Sequence, residues 1–145
     1  MKSTALFPGS FNPFTKGHAD IVSRALNMFD EVIIGIGINS EKPQNSASKN
    51  LENIKKTYAD EPRVKTITYN TLTADVVKEE NATCIIRGIR NDVDLKYESE
   101  IARANYTLFG VETVFLLASP ELKEISSSLV RELERYGKKI EELLP

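Results

Sequence analysis

Histidine and cysteine each occur once in this chain of 145 residues, at His18 and Cys84. A single cysteine excludes an internal disulfide, and between Thr83 and Ile85-Ile86 it reads as a buried thiol in a strand. Basic charge is not in excess either. Nineteen Lys and Arg against 21 Asp and Glu give a formal charge of −2 and a pI near 5.5, which argues against a general basic face for nucleic acid. Any phosphate the chain binds must therefore be held by a few placed cations. No apolar run is long enough to cross a bilayer, and after Lys2 there is no apolar stretch of signal-peptide length. The expectation is a soluble cytoplasmic protein without a membrane partner. No repeat, low-complexity tract or composition shift marks a linker. One domain over residues 1–145 is expected, burying roughly two thirds of the surface its unfolded chain would expose.

Short apolar runs alternating with stretches of helical spacing fill the chain. The runs at 5–7, 32–38, 64–69, 84–86 and 114–118 predict five strands, mostly continuous rather than alternating, as in a sheet covered on both faces. Ile21, Val22, Ala25, Leu26 and Phe29 form one helical stripe, and Val93, Tyr97, Ile101, Ala104 and Leu108 a second. Ile125, Leu129, Leu133 and Tyr136 form a third. Shorter helices are expected near 49–58 and 73–80, and 39–50 reads as a long polar loop. The fold class is α/β: a single doubly wound domain with a five-stranded parallel sheet of Rossmann-like type.

Ligands of such sheets bind beyond the carboxyl ends of the strands, at the point where strand order reverses. The segments after the five strands are accordingly the candidate site. After the first comes Pro8-Gly9-Ser10-Phe11-Asn12-Pro13-Phe14-Thr15-Lys16-Gly17-His18, after the second 39–43, and after the third Thr71-Leu72-Thr73. Arg87-Gly88-Ile89-Arg90 follows the fourth, and 119–128 the fifth. Cations, hydroxyls and glycines thus gather at one edge, as a polyphosphate site requires. The first loop delivers Gly17-His18 to a helix start, where unpaired N–H groups and the dipole favour an anion and a histidine can donate to a phosphoryl oxygen. It is not a Walker loop, because no second glycine with a Lys-Ser/Thr pair closes it after Gly9. Gly35 and Gly37 lie inside the second strand and lack the third glycine of a dinucleotide fingerprint, so close backbone approach is the better reading.

Gly9-Ser10-Phe11-Asn12-Pro13 with Thr15-Lys16-Gly17-His18, and later Ile125-Ser126-Ser127-Ser128-Leu129-Val130-Arg131, resemble the two signatures of the nucleotidyltransferase superfamily marked by (H/T)-x-G-H. Between them, Lys42-Pro43, Ile86-Arg87-Gly88-Ile89-Arg90, Asp94, Tyr97 and Glu98 are similar to the phosphopantetheine adenylyltransferase family in particular. That resemblance runs from residue 3 to about 135. It implies transfer of AMP from ATP to 4′-phosphopantetheine in coenzyme A biosynthesis, giving dephospho-coenzyme A and pyrophosphate, usually with Mg²⁺ and in a homohexamer. It also implies that His18 donates to the α-phosphate, while Lys42 and Ser10 hold the attacking phosphate. Arg90, Ser127 and Ser128 would take the leaving phosphates, and Arg87 and Thr73 line the acceptor side. Phe11, Gly88, Ile89, Glu98, Leu122, Lys123, Glu124, Ile125 and Ser126 would contact ATP, with no protein ligand to a metal. Ser126 is expected to cap the last helix as well.

Three departures from that pattern stand out. Ser10 replaces a usual threonine, Asn12 a usual aspartate, and 44–53 lacks the usual apolar-Thr-x-Glu-Glu-Arg helix start. Two alternatives remain at this point: an adenylyltransferase for another acceptor such as nicotinate mononucleotide, and a non-catalytic nucleotide-binding module. Apolar residues near element ends, Tyr69, Leu72, Tyr106, Leu108 and Phe109, add a hint of subunit contact.

Overall fold

The computed structural model describes residues 2–39 and 45–145. Lys42, Pro43 and the rest of 40–44 lie outside the described residues. Five parallel strands, β1 (Thr4–Gly9), β2 (Glu31–Gly37), β3 (Val64–Tyr69), β4 (Cys84–Ile89) and β5 (Thr113–Leu117), form one sheet in the order β3-β2-β1-β4-β5. The helices between them are α1 (Lys16–Ala25), α2 (Asn45–Thr57), α3 (Thr73–Glu79) and α4 (Asp92–Phe109), with α5 (Ser127–Arg135) last. This is the doubly wound arrangement expected, and among the described residues no helix is long and apolar enough to cross a membrane.

Successive side chains of a strand point to opposite faces, so each central strand feeds two cores. Ala5 and Phe7 join Ile34, Ile36 and Ile86 beneath α1 and α2, where Ile21, Val22, Ala25 and Ile54 complete the layer. Leu6, Ile33 and Ile85 point the other way, onto Ala74, Val76 and Val77 of α3. Cys84 is buried in the first layer, and burial, with Glu112 adding to it, pushes its thiol up to about 11. Of the two glycines of β2, Gly35 serves close approach as expected, since a Cβ on it would lie 3.1 Å from the Tyr69 ring, whereas one on Gly37 would meet its nearest neighbour, the Tyr69 hydroxyl, at an ordinary 3.5 Å.

Three expectations are corrected. Arg87, Gly88 and Ile89 belong to β4 itself rather than to a loop after it, because they pair in register with Phe115, Leu116 and Leu117 of β5. The polar loop is shorter than 39–50, since α2 starts at Asn45 and buries Asn50 and Ile54. The stripe on α4 does not face the sheet. Val93 is 78% exposed and Leu108 69%, with Tyr97 and Ile101 also exposed, while the buried side chain of this helix is Glu98. Periodicity identifies an apolar face but not what covers it.

The sheet opens where function needs it to. β1 pairs with β2 along its whole length, Thr4 to Gly9, but with β4 only through Ala5↔Cys84 and Leu6↔Ile85. Two residues further on stands Pro8, which has no N–H to offer a neighbour. Beyond Leu6 the two central strands part, at the place where strand order reverses.

Candidate active site

A cavity of about 400 Å³ occupies this opening, a size suited to a small-molecule ligand. Pro8 and Gly9 border it from the end of β1, Ser10 and Phe11 from the loop after it, and Gly17 and His18 from the start of α1. Arg87 and Gly88 come from β4 and Arg90 from just after it, while Leu122, Ile125 and Ser126 come from the segment before α5 and Ser127 and Ser128 from its first turn. A second, smaller cavity of about 210 Å³ adjoins it, lined by Thr73, Asn105 and Ile101 and sharing Arg87, Tyr97 and Glu98 with the first.

His18 is held by the turn that starts its own helix. Thr15 caps α1 through its side chain, and its backbone N–H donates to His18 Nδ1 at 2.9 Å, closing a capping box in which histidine occupies the usual Glu or Gln position. Since Nδ1 accepts, the ring proton sits on Nε2. Phe11, Phe14 and Phe7 pack around the ring, with the Phe11 and His18 centroids 4.9 Å apart at 90°. Phe11 adopts a positive φ of 47°, an uncommon conformation for a bulky residue, to turn its ring into that position. Burial, reinforced by the charges of Arg87 and Arg90, lowers the His18 pKa from 6.5 to about 4. At neutral pH the site therefore presents an uncharged imidazole with an N–H donor.

A stability consequence follows with a definite sign. Between pH 6.5 and about 4 the unfolded chain binds a proton at His18 that the folded chain does not, so folding stability falls as pH drops through that window. The loss can reach about 1.4 kcal/mol per pH unit. Denaturant titrations at stepped pH should show this slope in the wild type and lose it in His18→Gln, and equal slopes would remove the assignment.

Cations and donors surround the histidine. Arg90 donates through Nε to Asp94 Oδ2 at 3.0 Å, which fixes it at the start of α4. Arg131 Nη1 donates to the Asn12 carbonyl at 2.6 Å. Asn12 Oδ1 also receives the Asn50 amide at 3.4 Å, so α2 and α5 grip the same residue of the first loop. Ser126 caps α5 as expected, its hydroxyl accepting from Leu129 N at 3.1 Å. The Ser127 hydroxyl gives its proton to the Pro13 carbonyl at 2.7 Å. What α5 offers an anion is therefore its first backbone N–H groups and its dipole more than the Ser127 side chain.

Most of the residues singled out in the sequence meet at these cavities. Ser10, Phe11, His18, Gly88, Arg90, Leu122, Ile125, Ser126, Ser127 and Ser128 line the larger one, Thr73 the smaller, and Arg87 and Glu98 both. Ile89 is buried and lines neither; nor do the exposed Lys123 and Glu124. Lys42 falls outside the described residues. Sequence reasoning missed the service of Thr15 to the histidine, although Thr-x-x-His just before an apolar stripe carries the capping signal. It also missed Asn105, one polar residue among many on a long helix.

Among the described residues there is no group of three or more His, Cys, Asp or Glu that could hold a metal ion. The carboxylates Asp94 and Glu98 are each paired with an arginine. The donor set suits phosphate oxygens rather than a protein-built metal cage.

The geometry can be set beside known proteins. The family model described as cytidylyltransferase-like matches residues 6–133. A phosphopantetheine adenylyltransferase of Porphyromonas gingivalis is 50% identical over 145 residues, covering 99% of this chain and 95% of the relative. Those of Phocaeicola vulgatus and Flavobacterium johnsoniae are 49% and 46% identical, covering 97% of this chain and 94% and 93% of theirs. Among solved structures, a candidate nicotinate-nucleotide adenylyltransferase of Vibrio parahaemolyticus superposes with a TM-score of 0.67 at 19% identity, covering 99% of this chain and 94% of that one. That likeness shows the fold.

Proposed function

Because the chain belongs to the phosphopantetheine adenylyltransferase family, within the cytidylyltransferase-like proteins, we propose that it joins ATP and 4′-phosphopantetheine into dephospho-coenzyme A and pyrophosphate. The observation that carries the reading is the uncharged His18, an N–H donor sharing its cavity with Arg87 and Arg90 at the parting of β1 and β4.

The nucleophile needs no base. A phosphate monoester has a second pKa near 6 and is ionised at pH 7. One of its oxygens attacks the α-phosphorus of ATP, an O–P bond forms as the bond to the β-phosphate bridge breaks, and pyrophosphate leaves with the electron pair. The protein's task is to bring two polyanions together and to meet charge on the equatorial oxygens of the α-phosphate. In this reading His18 Nε2–H donates to such an oxygen, while Lys42 and Ser10 hold the acceptor phosphate. Arg90, Arg131 and the backbone amides at the start of α5 receive the departing phosphates, and Arg87 and Thr73 serve the acceptor side. Mg²⁺ would ride on the ATP phosphates and neutralise part of their charge, with the cytoplasm as the compartment.

The test is pyrophosphate release with ATP, Mg²⁺ and 4′-phosphopantetheine, run beside nicotinate mononucleotide. Release with the first acceptor alone supports the reading, and release with the second alone overturns it.

The uncovered face of α4 suits a homo-oligomer, and the resemblance points to a hexamer. Val93, Tyr97, Ile101 and Leu108 form an apolar row that the sheet leaves open, and Leu72 and Tyr106 are exposed too. Tyr69 and Phe109, expected among the contact residues, instead pack against the second core layer. Light scattering should give a mass near six times the 16.2 kDa of the chain, and Leu108→Glu should lower it. A monomer across the micromolar range would defeat this proposal and leave the chemistry intact.

A further inference from the structure

Just past the histidine, α1 carries an acid that lines neither cavity, Asp20. Gly17, Asp20 and Arg24 are spaced three and four apart and so fall on one face of that helix. The segment between β5 and α5 runs back along this face. A Cβ on Gly17 would lie 3.7 Å from the Ile125 carbonyl oxygen and 3.9 Å from that of Leu122. Asp20 Oδ2 accepts from the Ser119 hydroxyl at 2.8 Å and from Arg24 Nη1 at 3.1 Å. Arg24 Nη1 also donates to the Leu117 carbonyl, at 2.7 Å. One carboxylate oxygen thus ties the segment to α1 twice, directly at Ser119 and by way of Arg24 at the end of β5.

Neither Asp20, Arg24 nor Ser119 borders a cavity, yet the segment they hold does. Ala118, Leu122 and Ile125 border the larger one, and Ser126 to Ser128 carry its wall into the first turn of α5. No residue of 117–128 borders the smaller one. Within the segment the backbone closes two short turns, Leu122 N–H to the Ser119 carbonyl at 2.9 Å and Ile125 N–H to the Leu122 carbonyl at 3.0 Å. A stretch with so little regular structure depends on outside contacts to keep one shape. The ion pair of Asp20 and Arg24 adds little to stability, since the two side chains are 25% and 36% exposed. What it fixes is position. Asp20 sets where the segment, and with it the amides at the start of α5, stands relative to His18 on the same helix.

We propose that Asp20 is a positioning residue for ATP, acting through Ser119 and Arg24 on residues 118–128 and touching neither substrate. The proposal rests on the adenylyl transfer reading above. In steady-state kinetics Asp20→Ala should raise KM for ATP about 10-fold, with KM for phosphopantetheine changed less than about 2-fold. Asp20→Asn keeps an acceptor for the Ser119 hydroxyl and should recover most of that loss. Ser119→Ala removes the same bond from the other side and should raise KM for ATP about 3-fold or more. On that background Asp20→Ala should add less than its full factor, because only the route through Arg24 is left. Calorimetric titration with ATP and Mg²⁺, without acceptor, should show weaker binding by Asp20→Ala than by the wild type.

An unchanged KM for ATP, or an equal rise for both substrates, would overturn the proposal, as would effects of Asp20→Ala and Ser119→Ala that multiply in full. A merely structural role would reduce the folded fraction, lowering apparent turnover while both KM values stay where they are. Should Asp20→Ala lose its cooperative melting transition, Ser119→Ala decides by the same comparison of the two KM values. Absence of pyrophosphate release from the wild type would refute the adenylyl transfer reading itself, and the titration with ATP then decides the role of Asp20. Equal binding by wild type and variant, or none by either, overturns it.

Discussion

Replacing His18 by alanine is expected to lower turnover by roughly 10²-fold or more while KM for ATP changes little. The expectation rests on what the ring offers and when. Its Nδ1 accepts from Thr15 and its charge is suppressed, so it has no net attraction for the triphosphate of the ground state. Its Nε2–H gains value as negative charge builds on the α-phosphate oxygens, so its removal acts on kcat rather than on binding. The aromatic packing by Phe11 and Phe14 keeps that donor aimed and dry. Near-normal turnover in His18→Ala, with the protein melting as the wild type does, would take His18 out of the chemistry.

The second large effect separates two cations by substrate. In sequence Lys42 follows β2 and Arg90 follows β4, and these two strands flank β1 on opposite sides. Lys42→Ala should mainly damage use of phosphopantetheine, and Arg90→Ala use of ATP, each by about 10-fold or more for the loss of a charge-assisted contact. Arg90→Ala carries an added penalty, because Asp94 loses its cationic partner, keeps only the backbone N–H of residue 90, and leaves an uncompensated negative charge lining the cavity. Pairing it with Asp94→Asn should therefore return part of the loss. If both single variants raise the same KM, the division of labour is wrong.

Much of this was legible in the residues, for reasons that differ along the chain. Strands covered on both faces announce themselves as unbroken apolar runs, and that is why β2 and β3 fell within a residue of expectation. The first loop and the serines before α5 carry chemistry in unusual residue types, so the site could be assembled from loops alone. Pairing partners were not legible. Arg87, Gly88 and Ile89 look like a loop because a cation and a glycine interrupt the apolar run, yet β5 draws them into the sheet. Nor could an apolar stripe say what covers it. The row on α4 has the spacing of a core helix and faces outward, while the same helix buries a glutamate. That inversion becomes intelligible only once Arg87 is seen lying against it.

The parting of β1 from β4 has a further consequence. Unpaired strand edges are a hazard to a protein, because they template pairing with other chains and so invite aggregation. From Ile86 to Ile89, β4 has such an edge on the side facing β1. It is only four residues long, it lies in the middle of the sheet, and the Arg87 side chain bridges it to Pro8. A foreign strand cannot reach into a slot walled on both sides, whereas a small ligand can. The fold thus keeps a stretch of unpaired strand edge at its centre, open to a small ligand, without the aggregation risk that the same edge would bring at its rim.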